Sequence, residues 1–298
     1  MKSGFAGIVG RPNVGKSTLL NSILGEKIAI TTDKPQTTRN TIRGIYTRMD
    51  EDGDGVQMVF IDTPGIHKPR NKLGEFMTDA AIGTFREVDV IIFIVDGPID
   101  KGPGDRYILD LLRQIDTPKI LVINKVDTME PDVFEGIYNT YDEMGIFAEI
   151  FGTSALQGTG VKELVACAET FMEEGPMYFP EDQVSEDPVR FIASEIIREK
   201  ILLYMEDEVP HGTAVEIDRF EEEPGITRIS AVIYCERKSH KGMIIGKGGR
   251  KLKGIGKSAR QELEALLGTK VFLETWVKVK ENWRDSDVML SNFGYKEQ

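Results

Sequence analysis

The chain has two cysteines, Cys167 and Cys235, among 298 residues. They stand far apart and in apolar settings, which argues against a disulfide framework or a cysteine-based metal site and points to a reducing compartment. The histidines are equally sparse: His67, His211 and His240 are scattered and carry no assigned chemistry. No apolar run approaches the ~18 residues of a membrane-spanning helix. The start, MKSGFAGIVG, reads as a short strand rather than a leader, so neither a span nor export is expected. Internal repeats, heptad arrays and low-complexity tracts are also missing.

What is present begins with length and charge. A chain of 298 residues with 40% hydrophobic content supplies two ordinary cores. The formal net charge of -12 argues against a protein coated in nucleic acid, but the distribution matters more. From Arg237 to Arg260 the chain carries nine cations and no acid, after a segment loaded with Glu206, Asp207, Glu208, Glu221, Glu222 and Glu223.

Through residue 175, short β-rich runs alternate with helical patterns, the signature of a mostly parallel sheet covered on both faces. GFAGIVG, VQMVFID, VDVIIFIVD, KILVINKVD and FAEIFGTSA are near-continuous apolar strands, while YILDLLRQI and VKELVACAETFM repeat apolar residues at helical spacing. NTIRGIYTRM and VQMVFID are joined by DEDGDG, too short for a crossover helix, so these two strands are expected to be antiparallel. EEGPMYFPEDQVSEDP then breaks all periodicity. Beyond it come an amphipathic helix from VRFIASEII, two alternating strands, a glycine loop, a second helix and a last strand, which is an α+β module. The expected division is an α/β domain, a mostly parallel sheet with one antiparallel strand, at 1–175, a linker at 176–188 and the α+β module at 189–298.

Residues 10–17, GRPNVGKS, fit G-x-x-x-x-G-K-[ST] between a strand and the helix STLLNSIL. Such a loop turns backbone N–H groups toward phosphates, with the helix N-terminus behind it. Lys16 would reach the β- and γ-phosphates, and Ser17 would ligate Mg²⁺. NKVD, with Asn124, Lys125 and Asp127, adds base identity: Asp127 can accept both N1–H and the N2 amine of guanine. Such a site would reject the wrong base by ~10⁴-fold or more. Asn124 would touch the other purine edge, the Lys125 stem would lie on the ring, and Ser154 with the Ala155 N–H of TSAL would meet the base oxygen. In FIDTPG, Asp62 stands at the end of a buried strand, where a carboxylate helps hold Mg²⁺ through its bound water, and the Gly65 N–H can bond the γ-phosphate. A Mg²⁺-binding threonine is expected in TTDKPQTTRN, where Thr31, Thr32, Thr37 and Thr38 all qualify. Ile66 stands where Ras-type GTPases carry a water-orienting glutamine, so slow intrinsic turnover is expected.

In the module, IIGKGGRKL holds a G-x-x-G (Gly246, Lys247, Gly248, Gly249) between helical segments and bracketed by strands, the K-homology arrangement. Such a loop clamps the backbone of about four unpaired nucleotides. Lys247, Arg250, Lys251 and Lys253 would neutralise phosphates. Ile244, Ile245, Leu252 and Ile255 offer an apolar floor for bases or belong to the core. Trp276 and Trp283 could stack bases, although a tryptophan in an alternating strand is more often buried. Competing readings are a regulatory switch whose basic module docks a protein or an anionic membrane, and an ATPase, which Asp127 disfavours.

GRPNVGKS, PQTTRN, DTPGIHKP, NKVD, TSAL and SHKGMIIGKGGRKLKGIG, in that order, resemble the Era family, bacterial GTPases with a C-terminal K-homology domain of type II. The resemblance covers nearly the full length and implies GTP and GDP as ligands, Mg²⁺ as cofactor, and the 3′ end of 16S ribosomal RNA as target in 30S subunit maturation. By motif it selects Thr38 as the switch threonine, so that Lys16, Thr38 and Gly65 act in hydrolysis and Ser17, Thr38 and Asp62 hold the metal. Gly10, Asn13, Val14, Gly15, Thr18 and Leu156 join the nucleotide contacts, Lys241 joins the RNA contacts, and Asn13 matches the residue that binds K⁺ in cation-dependent relatives. A cytoplasmic monomer is expected. Association with the inner face of the cell membrane is implied by the family and explained by no stretch of this sequence.

Overall fold

The protein is described by a computed structural model covering residues 1–51, 53–66, 68–99, 103–206 and 209–295. Asp52 of the DEDGDG link, His67, and Asp207 and Glu208 of the acidic segment lie outside the described residues. The chain divides into two compact units, Met1–Arg70 with Gly74–Glu186, and Asn71–Leu73 with Asp187–Gln298.

The first unit is built on a seven-stranded sheet. Its strands are β1 (Lys2–Gly10), β2 (Ile42–Met49), β3 (Gly55–Asp62), β4 (Val90–Val95), β5 (Lys119–Asn124), β6 (Glu149–Thr153) and β7 (Glu173–Glu174). The order is β2-β3-β1-β4-β5-β6, with β7 paired to the start of β1. The four pairings from β3 through β1, β4 and β5 to β6 are parallel, whereas β2 runs antiparallel to β3 as the short link requires. All six residues of β4 and all six of β5 are buried, which is why these strands read as unbroken apolar runs. Helices α1 (Lys16–Leu24), α2 (Lys72–Gly83), α3 (Pro103–Leu112), α4 (Pro131–Asp142) and α5 (Val161–Glu169) connect the strands. On α3, Ile108, Leu109 and Leu112 are turned inward at helical spacing and join Val9, Phe93 and Leu121 in one core.

The expected linker differs from the structure. Residues 176–186 belong to the first unit, laid along the outer edge of β2. Ile45 N–H donates to Val184 O at 2.9 Å, Glu186 N–H donates to Arg43 O at 3.3 Å, and Gly44 bridges to Ser185. The side chain of Gln57, wholly buried on β3, fixes the strap: its Oε1 accepts from Tyr178 N–H at 2.7 Å and Phe179 N–H at 3.0 Å, and its Nε2 donates to Phe179 O at 2.9 Å. Two prolines and an acidic run hide this attachment from a reading of periodicity, because main-chain groups make it.

The second unit comprises α6 (Val189–Tyr204), β8 (Thr213–Glu223), β9 (Ile226–Cys235), α7 (Lys238–Ile245), α8 (Arg250–Leu267), β10 (Lys270–Val279) and α9 (Asp287–Asn292). Its sheet has the order β10-β9-β8, with β8 antiparallel and β10 parallel to β9. Pro224 followed by Gly225 at φ 79° makes the hairpin turn, a position only glycine takes without strain. On α8, Leu252, Ile255, Ala259 and Leu263 recur every three or four residues and pack with Ile197, Ile201, Ile229 and Ile233. The helix begins at Gly249 and ends at Gly268, both left-handed.

Candidate functional site

The loop between β1 and α1 takes its form from backbone choices. Asn13 at φ 66° and Gly15 at φ 104° are left-handed, so successive peptide groups turn inward. A Cβ at Gly15 would overlap Asn124 Nδ2, and a Cβ at Gly65 would lie 2.7 Å from Pro12 N, so glycine is required at both close approaches. A pocket of ≈ 350 Å³ opens here, lined by Asn13, Gly15, Lys16, Ser17 and Thr18, the loop threonines, Gly65 and Lys125. Lys16 is 6% exposed, and its Nζ donates to Gly10 O at 3.2 Å and Arg11 O at 2.9 Å. Burial pushes this ammonium down to about 8, against the opposing pull of Asp62.

Beside it three oxygen-bearing side chains converge. Ser17 Oγ lies 2.5 Å from Asp62 Oδ2 and 2.8 Å from Thr38 Oγ1, and Thr38 Oγ1 also donates to Asp62 Oδ2 at 3.4 Å. The other loop threonines include a turn-building pair: Thr32 and Thr37 hydroxyls meet at 2.6 Å, and Thr37 donates to Lys34 O at 2.7 Å. Asp62 is wholly buried, and its Oδ1 has no hydrogen-bond partner among the described residues. Burial raises its carboxyl to about 6, with Lys16 and the two hydroxyls pulling the other way. A buried carboxylate with one unmet oxygen, beside two hydroxyls, is an all-oxygen donor set that suits a hard divalent cation such as Mg²⁺.

On the base side, Asn124 has a structural role that the sequence did not announce. It is 2% exposed; its Nδ2 donates to Val14 O at 2.8 Å, and its Oδ1 accepts from Thr153 Oγ1 at 3.1 Å and Ala155 N–H at 2.9 Å. Asn124 therefore ties the phosphate loop to the TSAL loop, and the Ala155 N–H expected at a base oxygen is engaged by Asn124. Ser154 is buried too, its Oγ accepting from Gln157 N–H at 3.3 Å within a turn. Asp127 is exposed and Leu156 is 83% exposed, both at the rim. The carboxylate of Asp127 is thus not buried by the protein itself, and only a seated base would desolvate it. Ile66 is wholly buried in one core with Val9, Phe85 and Phe93, which commits its side chain to packing.

In the second unit the G-x-x-G turn is accessible. Gly246, Gly248 and Gly249 have φ of 70°, 62° and 74°, and a Cβ at Gly248 or Gly249 would meet nothing within 4 Å. Gly246 is tighter, since a Cβ there would lie 2.7 Å from Lys251 Cβ. Lys247, Arg250, Lys251 and Lys253 are exposed around the turn, and Lys241 is half-buried. A groove of ≈ 520 Å³ continues between α8 and β10, lined by Leu252, Lys253, Lys257, Arg260 and Leu273. One expectation needs correction, and one open alternative is decided. Ile244 on α7 and Ile255 on α8 are wholly buried in the core of this unit, and Ile245 packs against that core, so these side chains turn inward rather than toward bases. Trp283 is also fully buried, its Nε1 donating to Gly212 O at 3.0 Å, while Trp276 is 44% exposed on β10.

Residues 5–125 match the family described as 50S ribosome-binding GTPase, and residues 208–284 match the KH domain family. GTPase Era of Alkaliphilus oremlandii is 56% identical over 296 residues, covering 99% of each chain. The chain belongs to the Era GTPase family. GTPase Era of Clostridioides difficile is likewise 56% identical, over 300 residues, covering 100% of this chain and 99% of its own. Among solved structures, Era of Aquifex aeolicus bound to GDP·AlF4⁻ superimposes with a TM-score of 0.93 at 40% identity and 99% coverage of both chains. An Era structure in complex with MgGDPNP and nucleotides 1506–1542 of 16S ribosomal RNA matches equally, with a TM-score of 0.93 at 40% identity and 99% of each chain covered. Within this Era-family fold, sequence reasoning passed over Arg11 and Asp96, which meet beside Lys125. The signal was available: Asp96 closes the apolar run FIVD as Asp62 closes FID.

Proposed function

We propose that this GTPase holds the 3′ end of 16S ribosomal RNA in its C-terminal unit and assists maturation of the 30S ribosomal subunit, while its N-terminal unit binds and hydrolyses GTP. The observation that carries the RNA reading is the G-x-x-G turn, where Gly248 is exposed and Gly248 and Gly249 have open space at their Cβ positions amid exposed cations. A sugar-phosphate backbone can lie against such a turn because no side chain intervenes. The Era relative that holds nucleotides 1506–1542 of 16S ribosomal RNA supports the choice of target.

In the N-terminal unit Lys16, the loop amides and the Gly65 N–H neutralise charge that builds on the phosphates, and water attacks in line with no covalent intermediate. Ser17, Thr38 and Asp62 would hold Mg²⁺, which would supply positive charge beside the phosphates. Asp127 and the Lys125 stem take the guanine, with Leu156 at the rim. Since Ile66 is committed to the core, water placement falls to the backbone of the switch segments. K⁺ at Asn13 belongs to the same proposal: Asn13 Nδ2 donates to Asp33 O at 2.7 Å, so the phosphate loop and the threonine loop already meet there. We place the protein in the cytoplasm as a monomer. Among the described residues no helix is long and apolar enough to cross a membrane, and a peripheral contact with the inner membrane rests on the resemblance alone.

The test is equilibrium binding of an oligoribonucleotide with the 3′-terminal sequence of 16S ribosomal RNA, with GTP analogue or GDP present. Gly248→Asp is expected to abolish RNA binding and leave nucleotide affinity unchanged. RNA affinity indifferent to that substitution would overturn the reading.

A further inference from the structure

A cluster of charges beside the nucleotide pocket is left unused by the phosphate, metal and base readings. Asp96 follows β4 and is 11% exposed at its side chain. Its Oδ1 accepts from Arg11 Nη2 at 3.1 Å, and its Oδ2 accepts from Lys125 Nζ at 2.8 Å. One carboxylate therefore grips a cation from the phosphate loop with one oxygen and a cation from the guanine loop with the other.

Both cations have a further hold. Lys125 Nζ also donates to Asn13 O at 2.8 Å, and Arg11 Nε lies 2.6 Å from Asp105 Oδ2, whose side chain is wholly buried. The Arg11 stem lies against Gly104 at the start of α3, where a Cβ would come within 2.8 Å of Arg11 Cδ. Lys125 itself sits at φ 65°, a conformation that non-glycine residues adopt only when their surroundings hold them.

We infer that Asp96 is a positioning residue for guanine nucleotides: it holds the Lys125 stem flat and in register with the phosphate loop, so that the floor under the base exists before the nucleotide arrives. A free lysine must be ordered on binding, and that loss of rotamer freedom opposes affinity. With Nζ already fixed by Asp96 and Asn13, the cost is met in folding. The effect lies in binding and not in chemistry, because no atom of this cluster is placed at the transferring phosphate. The inference rests on the reading of Lys125 as the face under guanine.

The experiment is a double-mutant cycle on the full chain with Asp96→Asn and Lys125→Met, measuring KM and kcat for GTP, the Kd for GDP and the thermal midpoint. Asp96→Asn is expected to raise KM and the GDP Kd about tenfold and to leave kcat within about twofold. In the Lys125→Met background the same substitution is expected to change neither by more than about twofold. Asp96→Glu, which keeps the charge, is expected to recover much of the loss. If Asp96→Asn fails to fold, Asp96→Ser takes its place in the cycle. Losses that multiply in the double variant, a kcat effect at constant KM, or a lowered thermal midpoint with KM unchanged would each overturn the inference while leaving the base reading intact. A Lys125→Met variant with unaltered KM would overturn both.

Discussion

Ser17 Oγ donates to Asp62 Oδ2 across 2.5 Å, joining the first turn of α1 to the end of β3. Two residues far apart in the chain thus form the floor of the candidate metal site, with Thr38 2.8 Å from the same hydroxyl. Asp62→Asn keeps the shape and removes the charge. It is expected to lower Mg²⁺-dependent GTP hydrolysis by about 100-fold or more, within the range that removal of one electrostatic element produces. Single-turnover hydrolysis against Mg²⁺ concentration checks it; saturation at unchanged Mg²⁺ would contradict it.

The same carboxyl sets a pH dependence. Burial raises Asp62 from 3.8 to about 6, so between these values the native protein keeps a proton that the unfolded chain has released. Its contribution to the stability of the nucleotide-free protein is therefore complete below about 4 and is lost as pH rises through about 6. Metal binding has the opposite trend, since the ionised form is needed: Mg²⁺ affinity should fall as pH drops below about 6. Calorimetric titration at several pH values, with Asp62→Asn as the flat control, tests both signs.

Ile66 is a core residue, and its substitution should act on folding. Ile66→Ala is expected to cost about 2–5 kcal/mol in denaturant unfolding through the cavity it leaves. The kcat of the folded fraction should stay within about twofold. Ile66→Gln should not accelerate hydrolysis, because the amide would be buried among Val9, Phe85 and Phe93. A gain in kcat from glutamine would show that the segment can turn outward.

The exposed cations around the G-x-x-G predict a salt signature. Lys253→Ala should weaken RNA binding across sequences and reduce the slope of log affinity against log salt by about 0.7 for a single strand. Ile244→Ala should leave that slope alone and lower the stability of the second unit, since the side chain is wholly buried. Salt titrations of both variants separate a phosphate contact from a core contact.

Gln57 predicts the behaviour of the strap. Gln57→Leu removes the acceptor of Tyr178 N–H and Phe179 N–H and the donor to Phe179 O. Each group left unmet costs about 1–3 kcal/mol where water is excluded. Faster amide exchange at residues 178–186, with the core of β4 and β5 unchanged, is the expected outcome.

How far the sequence carried can be judged from particular residues. The phosphate loop, NKVD and the G-x-x-G lie in contiguous stretches, and their backbone demands are local, so glycine and lysine at fixed offsets announce them. The metal-site threonine was different: residues alone left four candidates, and the resemblance chose Thr38. The structure brings Thr38 against Ser17 and Asp62, 21 and 24 residues away, a proximity that no local pattern encodes. Asn124 was assigned to the purine by its motif, and that motif gives no sign that its amide also joins two loops. The strap was invisible because it pairs with β2 largely through peptide groups, as where Glu186 N–H donates to Arg43 O, and peptide groups are the same in every residue. Ile244 and Ile245 were ambiguous since eight residues of α7 are too few to tell an inner face from an outer one by spacing.

The strap has a consequence for anyone cutting this protein. Without residues 176–186, β2 would lie bare along one flank, its peptide groups open to any passing chain. A fragment that stops at Glu174 would have a raw hem where the intact molecule is bound off, and its clumping would be a fault of tailoring rather than of the cloth.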